Sequence, residues 1–239
     1  MTKRNWLHLS LMIFPILLLL AATIVLPKEI YISYTDHSFA NESSGLSMPS
    51  GLPEGIGSKY TLLTYAIMPL LFGICDLLSL RSTKKHARQY FDESVASRND
   101  IPELGISMAI LLYLNLDIIY RVTLAYCNPV GGALGLSYNS NIDGIFLGIT
   151  ALIIGNFIPK YGFGGVTTAP LLPNQDEQRL YRKTKLILSF CTILTGLVLI
   201  LFNWLILEPN NGTYFTSLIL MAGCGIPALI IRKVRQGEE

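Results

Sequence analysis

The sequence predicts an all-α integral membrane protein, a bundle of six transmembrane helices with both chain termini in the cytoplasm. Three observations predict this fold class: the composition, six apolar stretches and a one-sided distribution of positive charge. The chain is 51% hydrophobic and only 14% charged, with a mean hydropathy of +0.48. Ordinary soluble domains carry about 25% charged residues. Water is therefore not the main solvent of this chain.

The apolar stretches have the length that a membrane crossing requires. A helix rises about 1.5 Å per residue, so about 20 residues cross a hydrocarbon core of about 30 Å. Two weaker stretches, Leu104–Tyr120 and Ile142–Ile158, could cross separately or form one re-entrant hairpin; six crossings are preferred over four. The four strong stretches are Trp6–Leu26, Tyr60–Leu80, Leu186–Leu207 and Tyr214–Ile231.

Positive charge orients this arrangement. Of the 18 Lys and Arg residues, 15 fall on one side of the six spans, while the other side holds Lys28 and Lys59, and Arg121 lies at the end of a span. The positive-inside rule places the 15 in the cytoplasm. The predicted cytoplasmic segments are both termini, Arg81–Asn99 and Pro159–Lys185, and the predicted outward segments are Pro27–Lys59, Val122–Asn141 and Glu208–Thr213.

The connections carry a few local signals. The first span is expected to remain uncleaved, because its apolar core of about 20 residues exceeds the 7–15 or so of a signal peptide. Ile30–Tyr34, at the start of the first outward loop, has the β-branched and aromatic composition of a strand. Arg81–Asn99 is compatible with a helix, and Asp100–Pro102 is a plausible cap and first turn for the third span.

Asp117 and Arg121 form the sharpest candidate site. Their i,i+4 spacing places them on one helix face, with the acid before the base, which is the favourable orientation. Ionisable side chains within a span are costly and usually face the bundle interior. The functional interpretation is a pocket that opens outward and shares Asp143 across the loop. The structural interpretation, a pair that pins two helices together, is preferred over this functional one.

Other polar and small residues in the spans have more modest interpretations. Asp76, near the inner end of the second span, reaches the headgroups, pairs with a basic neighbour such as Arg81, or relays protons. Gly144 and Gly148 form a GxxxG pattern, which favours close helix packing, and packing within the chain is preferred over packing between subunits. His8, His37 and His86 are expected in separate compartments. Enzyme signatures such as HExxH, GxSxG and Walker A do not occur in the sequence, so no catalysis, metal or cofactor is expected.

Two motifs resemble those of the SdpI family of bacterial membrane proteins. The first is Gly155-Asn156-Phe157-Ile158-Pro159-Lys160 at the end of a span, followed by Tyr181-Arg182-Lys183-Thr184 at the start of the next. The second is Leu26-Pro27-Lys28-Glu29-Ile30 with Gly57-Ser58-Lys59, which resembles a small module that often precedes the SdpI domain. The chain departs from the family pattern at Tyr181, where tryptophan is usual, and at Lys185, where histidine is usual.

The resemblance implies a domain organisation and a function. Residues 1–239 would form one integral membrane domain, with an N-terminal two-helix module at 1–80, whose outward loop is 27–59, and an SdpI-like four-helix part at 101–232. SdpI-like proteins protect a producing cell against a secreted toxic peptide and can hold a transcriptional repressor at the membrane. The expected partners are therefore membrane lipid, such a peptide outside and such a repressor inside, without direct contact to nucleic acid.

By this interpretation the protein binds without turnover in the bacterial cytoplasmic membrane. The candidate binding residues are Asp117, Arg121, Asp143, Asp76, Gly155, Asn156, Pro159, Lys160, Tyr181, Lys183 and Thr184. The alternative is a small transporter or channel, in which Asp76, Asp117 and Arg121 would line the pathway.

Overall fold

Six long helices and one two-stranded hairpin make up the computed structural model, which describes residues 3–34, 53–90, 93–133, 135–136, 138–160, 175–205 and 212–236. The helices are α1 (Lys3–Val25), α2 (Ile67–Tyr90), α3 (Glu93–Cys127), α4 (Ser140–Phe157), α5 (Gln175–Leu205) and α6 (Gly212–Gln236). A 3-10 helix, Lys59–Ala66, leads into α2, and a 3-10 turn, Ile158–Lys160, follows α4. The strands are β1 (Glu29–Tyr34) and β2 (Pro53–Ser58), paired antiparallel.

All six helices are long and apolar enough to cross a membrane. Their surfaces are apolar as well: Ile24 is 83% exposed and Trp204 is 75% exposed. Such side chains bury little area against the rest of the chain, so the hydrophobic effect in water would not favour this arrangement. Six apolar helices of membrane-spanning length are confirmed in a mostly helical fold, and both weaker stretches form continuous helices.

Some predicted boundaries are wrong. The helix α3 begins at Glu93, so Asp100–Pro102 lies inside it and does not cap it. Glu, Ala and Arg between 93 and 98 favour helix, which extends α3 towards its N-terminus. At the other end α3 continues to Cys127, so Val122–Cys127 is helix rather than loop. Arg121 consequently lies six residues, or about 9 Å, before the end of α3.

The antiparallel helices give the bundle two ends. We call the end where α1 begins and α6 ends the terminal end, and the opposite end, which carries the β1–β2 hairpin, the hairpin end. The expected strand at Ile30–Tyr34 is confirmed as part of β1, and Glu29 pairs with Ser58 at the start of its ladder. The hairpin joins the main apolar core through Ile30, which is fully buried with Leu19, Leu62 and Ile118.

Close contact between α4 and α5 explains the glycine pattern. A Cβ atom on Gly148 would lie 2.8 Å from the carbonyl oxygen of Gly196, and one on Gly196 would lie 2.7 Å from the carbonyl oxygen of Gly148. A Cβ on Gly144 would collide with the side-chain amide of Asn203. Small residues are required where two backbones approach this closely. The GxxxG pattern therefore packs within the chain, as preferred from the sequence.

Candidate functional site

The predicted pair on α3 forms at the hairpin end of the bundle. Arg121 Nε donates to both carboxylate oxygens of Asp117, at 3.1 Å to Oδ1 and 3.0 Å to Oδ2. The Arg121 side chain is 33% exposed and that of Asp117 is 19% exposed. The pair is thus half sheltered and remains accessible, which distinguishes it from a fully buried structural ion pair.

Arg121 also links α3 to its neighbours. Its guanidinium carbon lies 4.9 Å from the ring centroid of Tyr65, in the 3-10 helix before α2. A cation over an aromatic face is stabilised by the ring quadrupole. Asp143, in the first turn of α4, interacts electrostatically with the same guanidinium. Asp117, Arg121 and Asp143 therefore share one site, and together the three side chains carry a net charge of −1 when ionised.

Three stacked tyrosines form the wall of this site. Tyr138 lies between Tyr34 of β1 and Tyr120 of α3, with centroid distances of 5.7 Å and 5.9 Å and interplanar angles of 22° and 29°. Its hydroxyl donates to Asp143 Oδ2 at 2.7 Å. The stack therefore connects the hairpin, α3 and the start of α4. We call Tyr34, Tyr120, Tyr138, Asp117, Arg121 and Asp143 the tyrosine–carboxylate cluster.

Burial fixes the protonation state of two members of this wall. Burial and the hydrogen bond to Asp143 raise the pKa of Tyr138, so its hydroxyl keeps its proton and donates at neutral pH. Burial also raises the pKa of Tyr34, against a smaller lowering effect of Asn128. The Tyr34 hydroxyl is enclosed near Asn128 without a well-formed hydrogen bond within the described part of the chain. The wall thus presents neutral phenols beside the charged groups.

The loop before α4 is held in place by two asparagines. Asn128 is fully buried, and its Oδ1 accepts from the backbone N–H groups of Gly135 and Leu136 at 3.0 and 3.1 Å. Asn139 caps α4 by accepting from the N–H of Asn141 at 2.9 Å, and its own N–H donates to the Tyr120 hydroxyl at 2.8 Å. These bonds position Tyr138 and Asp143 against α3.

An apolar groove runs beside the cluster between α1 and α3. Its volume is about 280 Å³. Val122 and Thr123, which line it, follow Arg121 on the same turn of α3, so the groove lies at the level of the charged pair but on another face of the helix. Its other lining residues are Leu18, Ala21, Ala22, Val25, Leu26 and Tyr126.

A second polar site, which the sequence did not predict, lies near the terminal end. The Nε2 atom of His8 on α1 lies 3.0 Å from Ser107 Oγ on α3 and 3.0 Å from Asp76 Oδ2 on α2. His8 is 1% exposed, Ser107 is 2% exposed and the Asp76 side chain is 14% exposed. Asp76 thus pairs with His8; the side chain of Arg81, its expected basic partner, is outside the described part of the chain. We call these three residues the His8 site.

The His8 site differs from a nucleophilic triad. In such a triad the base binds the nucleophile through one ring nitrogen and the orienting acid through the other. Here Ser107 and Asp76 share Nε2, while Nδ1 is buried with no hydrogen-bond partner among the described residues. The near-complete burial of His8 and Ser107 also leaves no space for a substrate at the hydroxyl. This geometry can hold a proton or a hydrogen bond, but it does not assemble an acyl-transfer site.

The first of the two predicted motif segments, residues 155–160, lies at the terminal end. Gly155 packs against α5, because a Cβ there would lie 2.6 Å from Ile193 Cγ1, and its carbonyl accepts from Ser189 Oγ at 2.7 Å. Asn156 is exposed, Pro159 is partly buried, and the exposed Lys160 places its Nζ 5.6 Å from the ring centroid of Phe157. This part of the motif is an ordered helix end beside α5.

The second part of the motif lies in the first third of α5. Lys183 is exposed and Thr184 is partly buried. The side chain of Tyr181 and the connecting segment 161–174 lie outside the described residues. The candidate residues at this end are separated from the tyrosine–carboxylate cluster by the length of the bundle, so the chain offers two distinct surfaces.

Several residues of the two sites could not be identified from the local sequence around them. Tyr34, Tyr65 and Tyr138 meet Asp143 and Arg121 only through the pairing of three segments. For the His8 site, equal depth was a usable signal: His8, Asp76 and Ser107 each lie two residues from the terminal-end limit of their spans, Trp6–Val25, Lys59–Leu78 and Gly105–Cys127. Among the described residues, no group of three or more His, Cys, Asp or Glu side chains is placed to hold a metal ion.

Comparisons with protein-family models, curated proteins and solved structures find no match to this chain.

Proposed function

We propose that this chain is a multi-pass protein of the bacterial cytoplasmic membrane that binds a secreted toxic peptide from the outer side, without turnover. The hairpin end faces outward in this proposal, and the terminal end, with its basic segments, faces a cytosolic regulator or anionic lipid. The charge distribution, the apolar helix surfaces and the SdpI-like motifs support it. The observation that carries it is the tyrosine–carboxylate cluster beside an apolar groove at the hairpin end.

The chemistry of the cluster favours a cationic, amphipathic ligand. Asp117 and Asp143 together exceed Arg121 by one negative charge, which favours a cationic group on the ligand. The groove adds an apolar surface at the depth of the lipid chains, where the apolar side chains of a membrane-inserting peptide would pack. In this proposal the charged groups of the cluster bind the cationic group of the peptide and set its position. The groove adds apolar contact area.

Survival of a toxin-sensitive bacterial strain tests this proposal. Cells that express the chain should survive a secreted toxin of the SdpI-associated kind, and Asp143→Asn should reduce protection at least about tenfold, because the cluster loses its net negative charge. Glu29→Gln is the matched control, since it removes one negative charge from an exposed position at the same end. It should change protection by less than about twofold, as expected for a rim charge.

A second variant tests the contribution of the groove to peptide binding separately from that of the charges. Ala21→Phe adds a ring to the lining of the groove and leaves the cluster intact, so it should also weaken protection. Equal protein levels in the membrane must accompany both results. If the intact chain gives no survival advantage against any such toxin, the immunity proposal fails.

The alternative is a small transporter, which the buried His8 site favours because ionisable groups within a bundle can form a pathway. Reconstitution into proteoliposomes discriminates the two functions. Solute uptake that depends on Asp76, Asp117 and Arg121, together with absent protection, would replace the binding proposal by the transport proposal.

A further inference from the structure

Three helices bring their polar side chains to one buried point at the His8 site. The imidazole of His8 comes from α1, the carboxylate of Asp76 from α2 and the hydroxyl of Ser107 from α3. Each lies two residues inside its span, so all three have the same depth near the terminal end. Their meeting is therefore a property of the bundle and does not arise from local sequence spacing.

Two oxygen atoms face the Nε2 atom of His8. Nε2 has two oxygen neighbours at 3.0 Å but can donate only one proton. Asp76 Oδ2 is at ion-pair distance, yet it makes no well-directed hydrogen bond within the described residues. A carboxylate at charge-pair distance favours the positively charged form of the ring.

The net charge of the pair also favours a protonated His8 beside an ionised Asp76. With neutral His8 and ionised Asp76, the buried pair has a net charge of −1, which is costly in a poorly solvated interior. One added proton on the imidazole makes the pair neutral overall and converts the contact into an ion pair. Ser107 Oγ can then accept from Nε2–H alongside the carboxylate.

We propose that His8 and Asp76, with Ser107, form a proton-binding site within the bundle. The bound ligand is a single proton, which moves the charge of the pair from −1 to 0. The site lies at the opposite end from the tyrosine–carboxylate cluster and is independent of peptide binding, so it goes beyond the proposed function.

The surroundings determine from which side the proton arrives. Towards the hairpin end, the fully buried Leu111 and Leu19 and the nearly buried Ile118 close the helix interfaces. Asn115 crosses from α3 to α1 by donating to the carbonyl of Leu11 at 2.9 Å. The partly exposed carboxylate of Asp76 is the open edge of the site. The proton therefore exchanges with the terminal-end side.

The charged groups around the site come from each of the three helices. Asp76 is the titratable side chain that faces His8 among those described. Lys3 and Arg4 on α1, Arg81 on α2 and Glu103 on α3 are within two turns in sequence, with side chains outside the described part. Asp117, the next carboxylate on α3, is ten residues or about 15 Å beyond Ser107. The proposal consequently depends on Asp76 as the counter-charge.

Histidine spectroscopy on the full-length protein tests the proposal. The chain has three histidines, so His37→Gln with His86→Gln leaves His8 as the single reporter. In proteoliposomes, ¹⁵N signals of the ring distinguish the two neutral tautomers from the imidazolium. Between about pH 4 and about pH 9, which brackets ordinary histidine titration, we expect an imidazolium population that grows as the pH on the terminal-end side falls. A change of pH on the other side alone should leave it unaltered.

Two substitutions identify the counter-charge. Asp76→Asn keeps the shape of the side chain but removes its charge, so the ratio of imidazolium to neutral ring at a fixed pH should fall about tenfold. Ser107→Ala retains both charges and should change the ratio less than about threefold. Glu29→Gln, a carboxylate lost at the opposite end, should leave it unchanged. If Asp76→Asn fails to fold, the proposal is still tested by the protein with an intact His8 site. The imidazolium population of that protein should respond to pH on the terminal-end side alone.

Two results would overturn the proposal. His8 could remain in one neutral tautomer over the whole pH series, which would make the His8 site a fixed hydrogen-bonded contact. Alternatively, the imidazolium ratio could be the same with and without the Asp76 carboxylate, in which case the pair does not hold the proton.

Discussion

The tyrosine–carboxylate cluster and the His8 site each contain a carboxylate beside a basic side chain, but they are built in opposite ways. Asp117 and Arg121 lie one turn apart on one helix and remain partly exposed. His8 and Asp76 come from different helices, and His8 is almost completely buried. A local pair forms whenever its helix forms, whereas a pair between helices forms only when the bundle is correctly packed. The second should therefore be more closely coupled to folding, and the first more available to a ligand.

The orientation of the bundle in the membrane has the largest expected effect on this comparison. A secreted ligand can reach the tyrosine–carboxylate cluster only if the hairpin end faces outward. In a cysteine-free background, we expect Ser47→Cys, in the loop between β1 and β2, to react with a membrane-impermeant maleimide in intact cells. Ser97→Cys, near the start of α3, should react only after permeabilisation. The positive-inside rule is the physical basis. The reverse pattern would place the cluster in the cytoplasm and remove it from the path of a secreted peptide.

The largest energetic effect is expected at the His8 site. His8→Leu leaves Asp76 buried without its partner and should cost about 3–5 kcal/mol of unfolding free energy, measured by denaturation in detergent or lipid. Replacing both residues, as in His8→Leu with Asp76→Leu, should recover much of this loss because no uncompensated charge remains. Leu7→Ala, at a half-exposed neighbour, is the control and should have little effect. A loss below about 1 kcal/mol for His8→Leu would show that the two sites do not differ in their coupling to folding.

A smaller effect is expected for the pair on α3. Partial solvation lets water replace a lost partner, so Asp117→Asn or Arg121→Gln alone should cost about 1–3 kcal/mol, between the values for exposed and buried pairs. The double variant should be more stable than the worse single variant, since the two charges compensate each other. Folded yield and unfolding free energy of all four proteins complete the thermodynamic cycle. Strict additivity would contradict a coupled pair.

The same contrast explains what the sequence could predict. Hydropathy and length located all six helices, and i,i+4 spacing located the pair on α3, because both are local properties. The strand β1 was visible in its β-branched and aromatic residues, but its partner β2, Pro53–Ser58, contains proline and two glycines, which are depleted in strands. Pairing with β1 rather than propensity makes β2 a strand.

Contacts between segments were beyond local reasoning. His8 was an isolated ionisable residue in an apolar stretch, and its partners lie 68 and 99 positions further along the chain, at Asp76 and Ser107. Only the assumption of equal depth in antiparallel spans would have brought them together. The Asp100 cap was wrong for a related reason: capping residues describe where a helix can begin, while the preceding residues decided that α3 had already begun.

The smallest effect is expected for a substitution in the tyrosine wall. Such a substitution changes the partly exposed site without removing a formal charge. Tyr138→Phe removes the hydroxyl that donates to Asp143 Oδ2 at 2.7 Å and keeps the ring between Tyr34 and Tyr120. The loss should be about 0.5–1.5 kcal/mol at neutral pH, the net range for one intramolecular hydrogen bond, because water reaches this partly exposed site. Tyr60→Phe, at an exposed tyrosine, serves as the control.

The pH dependence of this variant gives an independent check. Burial and the hydrogen bond to Asp143 raise the pKa of Tyr138 above its unfolded value of about 10. The folded state therefore binds this proton more tightly than the unfolded state, so the associated stability is complete below about pH 10 and is lost as the pH rises through the folded pKa. The wild-type protein should lose stability more steeply than Tyr138→Phe above about pH 10. Parallel alkaline profiles for the two proteins would mean that the Tyr138 proton is not held by the cluster.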